Sequence, residues 1–354
     1  MHSSSFVVVR LKKIILPVII CMFILFMLVF SKSNISSSKS GLVLWANSIV
    51  PSLLPFFVAT ELLSHTFVVP LLGRALNGIM RPLFNVPGEG SFALIMGIIS
   101  GYPTGAKIVS NFYRDGICTK EEAERLISFT NNSGPLFIVG AVGVSMFGDT
   151  RTGILLLITH ILACLTVGVL FRFWKSNKKA KHTVLSSFVP ARKIHENDIT
   201  FSNLGEALAN AIMNSIHTIL LIGGFVVLFS VIIAMLDQSN ILLTATKILE
   251  PIFNFLKIDS RFSAGILTGL IELTNGIKII SAIPIKNISQ NVIIASSLLG
   301  FGGISVLLQV FSIVSKAKLS IKPYIIGKVL HGIFALLYTY LFLNLSAFFN
   351  LDLL

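Results

Sequence analysis

The residues with chemical potential in this chain sit where a membrane protein tolerates them least. Ser100-Gly101-Tyr102-Pro103-Thr104-Gly105-Ala106-Lys107 follows the apolar run Phe92–Ile99, and Thr130-Asn131-Asn132-Ser133-Gly134-Pro135 precedes the apolar run Leu136–Met146. Amides, hydroxyls and an ammonium group can grip and charge-balance a small anion, and a flat ring could stack on Tyr102. A helix restarting after each break offers free N–H groups to a carboxylate. In the second half of the chain, Glu272, Thr274, Asn275 and Lys278 repeat the theme. The candidate binding residues are therefore Tyr102, Thr104, Gly105, Lys107, Thr130, Asn131, Asn132, Ser133, Glu272, Asn275 and Lys278. Each has a plainer alternative. Lys107 and Lys278 could snorkel to the interface, the Asn and Ser side chains could join helices, and Glu272 could pair with Lys278. Glu61, in an earlier apolar segment, carries the same ambiguity as Glu272. His160 and His331 read as packing histidines or as a proton relay.

The same search finds no enzyme. There is no HExxH, GxSxG or Walker A string, and the 7 histidines show no ligand spacing. Cys21, Cys118 and Cys164 lack CxxC spacing, so neither disulfide nor metal is implied. No cofactor is expected.

Composition sets the environment. The 354 residues are 54% hydrophobic and 12% charged, and the mean hydropathy is +0.87. A soluble domain carries about 25% charge, so the chain is read as an all-α polytopic membrane protein whose constant partner is the lipid bilayer. The net charge of +13 is assigned to short cytoplasmic loops that hold the topology, and no nucleic acid is expected.

The elements that must position the candidate residues follow in order. Residues 1–41 hold a retained first span, Ile14–Phe30, with the N-terminus inside, and a polar outer loop, Ser31–Ser40. Residues 42–173 form a first repeat. It comprises a span (Leu42–Leu63), a surface helix (Thr66–Phe84) and an interrupted segment (Ser91–Tyr113). A helix capped by Thr119 leads through the Asn131-Asn132 break into Leu136–Phe147, and Gly153–Phe173 crosses back. Two arms of about ten residues, at 1.5 Å per residue, reach only halfway through a 30 Å core, so Ser91–Tyr113 is expected to be a re-entrant hairpin. Residues 174–203 are a basic cytoplasmic linker. Residues 204–345 repeat the first part, with interruptions at Thr274-Asn275-Gly276 and at Gly300–Gly303. Residues 346–354 are a tail.

The repeat rests on four ordered matches. Asn47-Ser48-Ile49 pairs with Asn214-Ser215-Ile216, Arg81–Asn85 with Glu250–Asn254, Gly105-x-Lys107 with Gly276-x-Lys278, and His160 with His331, at displacements between 167 and 171 residues. Each half contains three crossings, so the second half must be inserted upside down. The expectation is an inverted structural repeat with two re-entrant helical hairpins, about seven full spans, and a site near the midplane between the halves.

The strings Ser100–Lys107 and Ser128–Gly143 together resemble the YlbJ (SpoVV-like) family of sporulation integral membrane proteins. The resemblance runs from about Leu42 to near the end of the chain and is weaker in the second half. That family belongs to the wider group with the nucleoside-recognition gate domain, which is similar to the cores of concentrative nucleoside transporters. The resemblance implies a transporter needed for endospore formation. It would act in the mother-cell-derived outer forespore membrane and move dipicolinic acid toward the forespore. Two alternatives remain open: a nucleoside or nucleobase carrier, and a non-transporting assembly factor of the spore envelope. The residues name no coupling ion, and oligomer formation is compatible with them.

Overall fold

A computed structural model describes residues 3–176, 203–255, 258–284 and 289–348. Most of the expected linker (174–203) and the tail (346–354) lie outside these residues. The described chain is helical, with no strand in it.

Helix α1 (Ser3–Val29) is apolar over most of its length, and α2 (Ser31–Leu44) follows it at 97°. The expected outer loop Ser31–Ser40 is thus a helix. Buried Asn34 ties the two helices: its Nδ2 donates to Phe26 O and Met27 O in the last turn of α1, at 3.2 and 3.3 Å. A π-turn, π1 (Trp45–Ile49), joins α2 to α3 (Val50–Ser64). Pro51 lies two residues after it and lacks the N–H that a regular helix would use. Helix α4 (Val68–Phe84) is the expected amphipathic helix. It buries Val69, Gly73, Met80 and Phe84 on one face and ends at Asn85 in the left-handed region, φ 56°.

Next come two short helices, α5 (Gly90–Ser100) and α6 (Thr104–Arg114), joined by Gly101-Tyr102-Pro103 with Gly101 at φ 78°. The two helices pack against each other as a hairpin. Gly97 and Gly105 let both helices close on the Thr130 carbonyl, which a Cβ at either position would overlap. Helix α7 (Lys120–Ile127) starts with a full capping box, Thr119 with Glu122. The chain is unwound from Phe129 to Gly134. It resumes as a π-helix, π2 (Leu136–Met146), and crosses back as α8 (Thr150–Phe171), capped by Asp149.

The second part contains α9 (Leu204–Gln238), α10 (Ile241–Phe255), α11 (Phe262–Ile271), α12 (Leu273–Ser281), α13 (Ser289–Phe301), α14 (Gly303–Lys316) and α15 (Lys322–Phe348). One expected boundary moves. The break between α11 and α12 is Glu272, in extended backbone at φ −140°, while Thr274-Asn275-Gly276 form the first turn of α12. A side-chain cap starts that helix, so polar residues expected to interrupt a helix instead begin one. Between α13 and α14 the break falls at Gly302 and Gly303, with φ 86° and 81°.

Four segments are long and apolar enough to cross a membrane: α8, α9, Ser289–Lys316 and the Lys322–Leu345 part of α15; counting the two bent pairs among α1–α4 as spans gives up to six. The expectation was about seven. The crossing missing from that count is Leu136–Phe147, which forms a helix of only 11 residues. Large aliphatic side chains face outward along α1, α9 and α15, as they must on an integral membrane protein.

Candidate functional site

A cavity of about 510 Å³ opens where breaks from both parts of the chain converge. Gly101 and Tyr102 reach it from the α5–α6 turn, Gly134 from the unwound segment before π2, and Glu272 and Thr274 from the start of α12. Ser305 and Gln309 of α14 complete the polar wall, and Leu53, Phe56, Ile222 and Val226 close the apolar side. Glu272 is the charged side chain on this wall. Its two oxygens accept from Thr274 N at 3.0 Å and Asn275 N at 2.9 Å, so a carboxylate sits on the positive end of α12. Gln309 is buried, and its Oε1 has no partner among the described residues.

Of the expected candidates, Tyr102 and Glu272 line this cavity. Asn275 takes part through its backbone N–H. Thr104 and Lys107 instead line a separate groove of about 120 Å³ beside α3. There Lys107 Nζ lies 2.8 Å from Glu61 Oε2, and Glu61 Oε1 accepts from Asn214 Nδ2 at 2.8 Å. The expectation that Lys107 waits for an anion is corrected: a carboxylate of the same chain already balances it. Lys278 is exposed, pairs with no acid among the described residues, and faces away from both cavities. Glu272 therefore does not pair with Lys278, because the cap on α12 holds its carboxylate.

The Thr130–Ser133 string is fully buried behind the cavity. Asn131 Oδ1 accepts from Ala106 N at 3.4 Å, its Nδ2 donates to Tyr324 Oη at 2.9 Å, and its carbonyl faces Lys328 Nζ at 3.5 Å. Asn132 Nδ2 donates to Phe129 O and to Cys164 Sγ, while Ser133 N donates to His160 Nε2 at 3.3 Å. Thr130 Oγ1, Asn132 Oδ1 and Ser133 Oγ remain without partners among the described residues. Gly105 presses against Thr130 O and carries no ligand-facing group. The string therefore works mainly as the joint on which α6, α8 and α15 meet.

Reading the sequence missed Tyr324, Lys328, Ser305 and Gln309. One signal was available. Tyr324, Gly327, Lys328 and His331 fall at helical i, i+3, i+4, i+7 spacing, a polar stripe on an otherwise apolar span.

The Gate family, described as nucleoside recognition, matches residues 46–150 and 219–317, more than half of the chain. The sporulation integral membrane protein YlbJ of Bacillus subtilis (strain 168) is 36% identical over 321 residues, covering 88% of this chain and 78% of that protein. Two structures of CNTnw, a concentrative nucleoside transporter, share the fold. A variant in the intermediate 3 state is 14% identical with a TM-score of 0.53, covering 98% of this chain and 88% of that one. The inward-facing substrate-bound state is 15% identical with a TM-score of 0.52, covering 90% and 83%. At that identity the likeness concerns the fold alone. The long family match and the curated relative make the chain a member of the Gate family, homologous to the sporulation integral membrane protein YlbJ.

Proposed function

We propose that this protein is a transporter of endospore-forming cells that moves dipicolinic acid, a small aromatic dicarboxylate, across the outer forespore membrane. Its site would lie between two inverted halves, each contributing a re-entrant hairpin. The observation that carries the reading is the convergence of Tyr102, Gly134 and Glu272, one residue from each of three helix breaks, on a single cavity of about 510 Å³. That volume falls within the usual range of small-molecule sites. Broken helices meeting near the midplane are a recurrent transporter arrangement. The printed name of the YlbJ relative supports the link to sporulation.

The start of α12 supports a carboxylate ligand. Thr274 N and Asn275 N already hold one carboxylate, that of Glu272. A substrate carboxylate would take the same two donors once Glu272 swings aside. One carboxylate then exchanges for another at a helix N-terminus.

A second reading has its own observation. Glu272 is the charged group on the cavity wall, alongside the neutral acceptors and donors of Ser100, Ser305, Gln309 and Tyr102. That wall also suits an uncharged nucleoside, in line with the description of the Gate family. Uptake of labelled dipicolinate into proteoliposomes, with and without protein, tests the first reading. Equal uptake in both removes it. Uptake of uridine that dipicolinate does not inhibit selects the second.

A further inference from the structure

We propose that the ammonium group of Lys328 is a tethered cation that takes the place of a coupling metal ion between the two helix breaks, so that this protein works without sodium. The proposal rests on the transport reading only for its last test. Lys328 lies within α15 and is 2% exposed. An ammonium group in the interior of a membrane segment costs several kcal/mol unless something compensates it. Among the described residues no aspartate or glutamate pairs with it. The titratable side chains around it are Cys164 and His160 on α8 and, on its own helix, Tyr324 and His331; none is an acid of the carboxylate type.

The compensation comes from backbone. Lys328 Nζ donates to Asn131 O at 3.5 Å. On the other side, a Cβ placed on Gly302 would lie 3.5 Å from Lys328 Cε and 3.9 Å from Nζ. Asn131 follows the C-terminal end of α7, and Gly302 follows the C-terminal end of α13. Helix C-termini carry unpaired carbonyls and a partial negative charge. The unwound segment after α7 thus gives the ammonium a carbonyl, and the Gly302 break at the C-terminal end of α13 lies against the end of the lysine side chain.

Neighbours fix the placement. One turn earlier, Tyr324 Oη accepts from Asn131 Nδ2, and between them Gly327 packs on the Ser128 carbonyl with no room for a Cβ. In transporters built from broken helices, such carbonyls hold the coupling cation. A lysine supplies the same unit charge through a covalent tether. Lys328 lies outside the residues that match the Gate family.

The test is the thermal unfolding midpoint of the purified full chain in detergent, in NaCl, KCl and choline chloride at equal ionic strength. Wild type should unfold at one temperature in all three salts. Lys328→Met, close in length but uncharged, should unfold about 5 °C or more lower. Lys328→Arg, which keeps the charge, should recover more than half of that loss. Selective stabilisation of wild type by sodium overturns the proposal, and so does a Lys328→Met midpoint equal to wild type. Arg and Met variants that fall equally show that packing alone is at stake, which also overturns it. Proteoliposome uptake equal in sodium and choline supports it, and uptake that requires sodium overturns it. Absence of any uptake by wild type removes the transport reading and leaves the stability tests to decide this one.

Discussion

The imidazole rings of His160 and His331 stand 4.3 Å apart, centroid to centroid. They come from α8 and α15, the helices that close the two parts of the chain, at positions 171 residues apart in sequence. His331 Nε2 donates to His160 O at 2.9 Å, and His160 Nε2 accepts from Ser133 N at 3.3 Å. These two bonds fix the tautomer of each neutral ring. They also chain α15 to α8 and α8 to the unwound segment before π2.

His331→Ala removes the donor and leaves a void between the helices. Hydrogen bonds between membrane helices average well under 1 kcal/mol, and the lost packing adds to that, so a loss of about 1–3 kcal/mol is expected. His331→Gln, which can still donate, should lose less. Thermal unfolding of the two variants beside wild type measures the difference. Equal loss in both would leave the bond to His160 O without energetic weight.

Lys107 and Glu61 form a partly buried pair, 26% and 14% exposed at the side chain. Removing one partner strands the other charge. Lys107→Met should therefore cost about 1–3 kcal/mol, less than for a fully buried pair. Lys107→Met with Glu61→Gln should cost less than the two single changes added together, as a double-mutant cycle on unfolding midpoints would report. Because Glu61 already balances Lys107, substrate affinity should change less than threefold in a Lys107→Met protein that still folds. A loss of affinity of tenfold or more would return Lys107 to the binding site.

The glycines at the first hairpin offer a sharper contrast. A Cβ at Gly105 would overlap Thr130 O, a backbone atom with nowhere to go, whereas Gly224 on α9 has nothing within 4 Å. Gly105→Ala should abolish the folded protein or lower its midpoint severely. Gly224→Ala should be neutral or stabilising by up to about 1 kcal/mol, since alanine is the better helix former. Expression yield and unfolding midpoint of the pair separate close packing from a general intolerance of substitution.

Local patterns carried most of the fold. The hairpin at Gly101-Tyr102-Pro103, the capping box at Thr119 and the amphipathic α4 all follow from spacing within a few residues. The Ser31–Ser40 stretch misled because its composition is that of a loop. Asn34 and the packing of α2 on α9 make it helical, and neither is visible locally. At the site, residue type was informative and partnership was not. Lys107 looked free because its partner Glu61 lies 46 residues earlier in the chain. Lys328 went unnoticed because its compensation is backbone carbonyl, which leaves no mark in side-chain sequence. Glu272 was found, but its role as the cap of α12 depends on two N–H groups that only the helix start reveals.

Asp149 gives a pH test outside the membrane. Thr152 Oγ1 and N, both at 2.8 Å, and Arg151 N at 3.1 Å hold its carboxyl below the ordinary aspartate range. A depressed carboxylate contributes stability above the unfolded value, about 3.9, and that contribution is lost as the pH falls through the folded value. Asp149→Ala should cost about 1 kcal/mol near neutral pH. The gap between wild-type and variant midpoints should narrow below about pH 4. A gap that stays constant down to pH 3 would mean that the charge of the cap contributes nothing.

Glu272 is the position at which the two functional readings part. Its carboxylate occupies Thr274 N and Asn275 N, the donors that a substrate carboxylate would need. Glu272→Ala should lower the unfolding midpoint of the empty protein, by the cost of an N-cap, about 1 kcal/mol. If a dicarboxylate uses the same donors, the alanine variant no longer has an internal competitor, so it should bind dipicolinate about tenfold more tightly, or 1.4 kcal/mol. A nucleoside site predicts the reverse: Glu272 would accept from the ligand, and Glu272→Ala would weaken uridine binding by a similar factor. Isothermal titration of both ligands against both proteins reads the sign directly. An affinity for both ligands that ignores the substitution would leave Glu272 as a helix cap and nothing more.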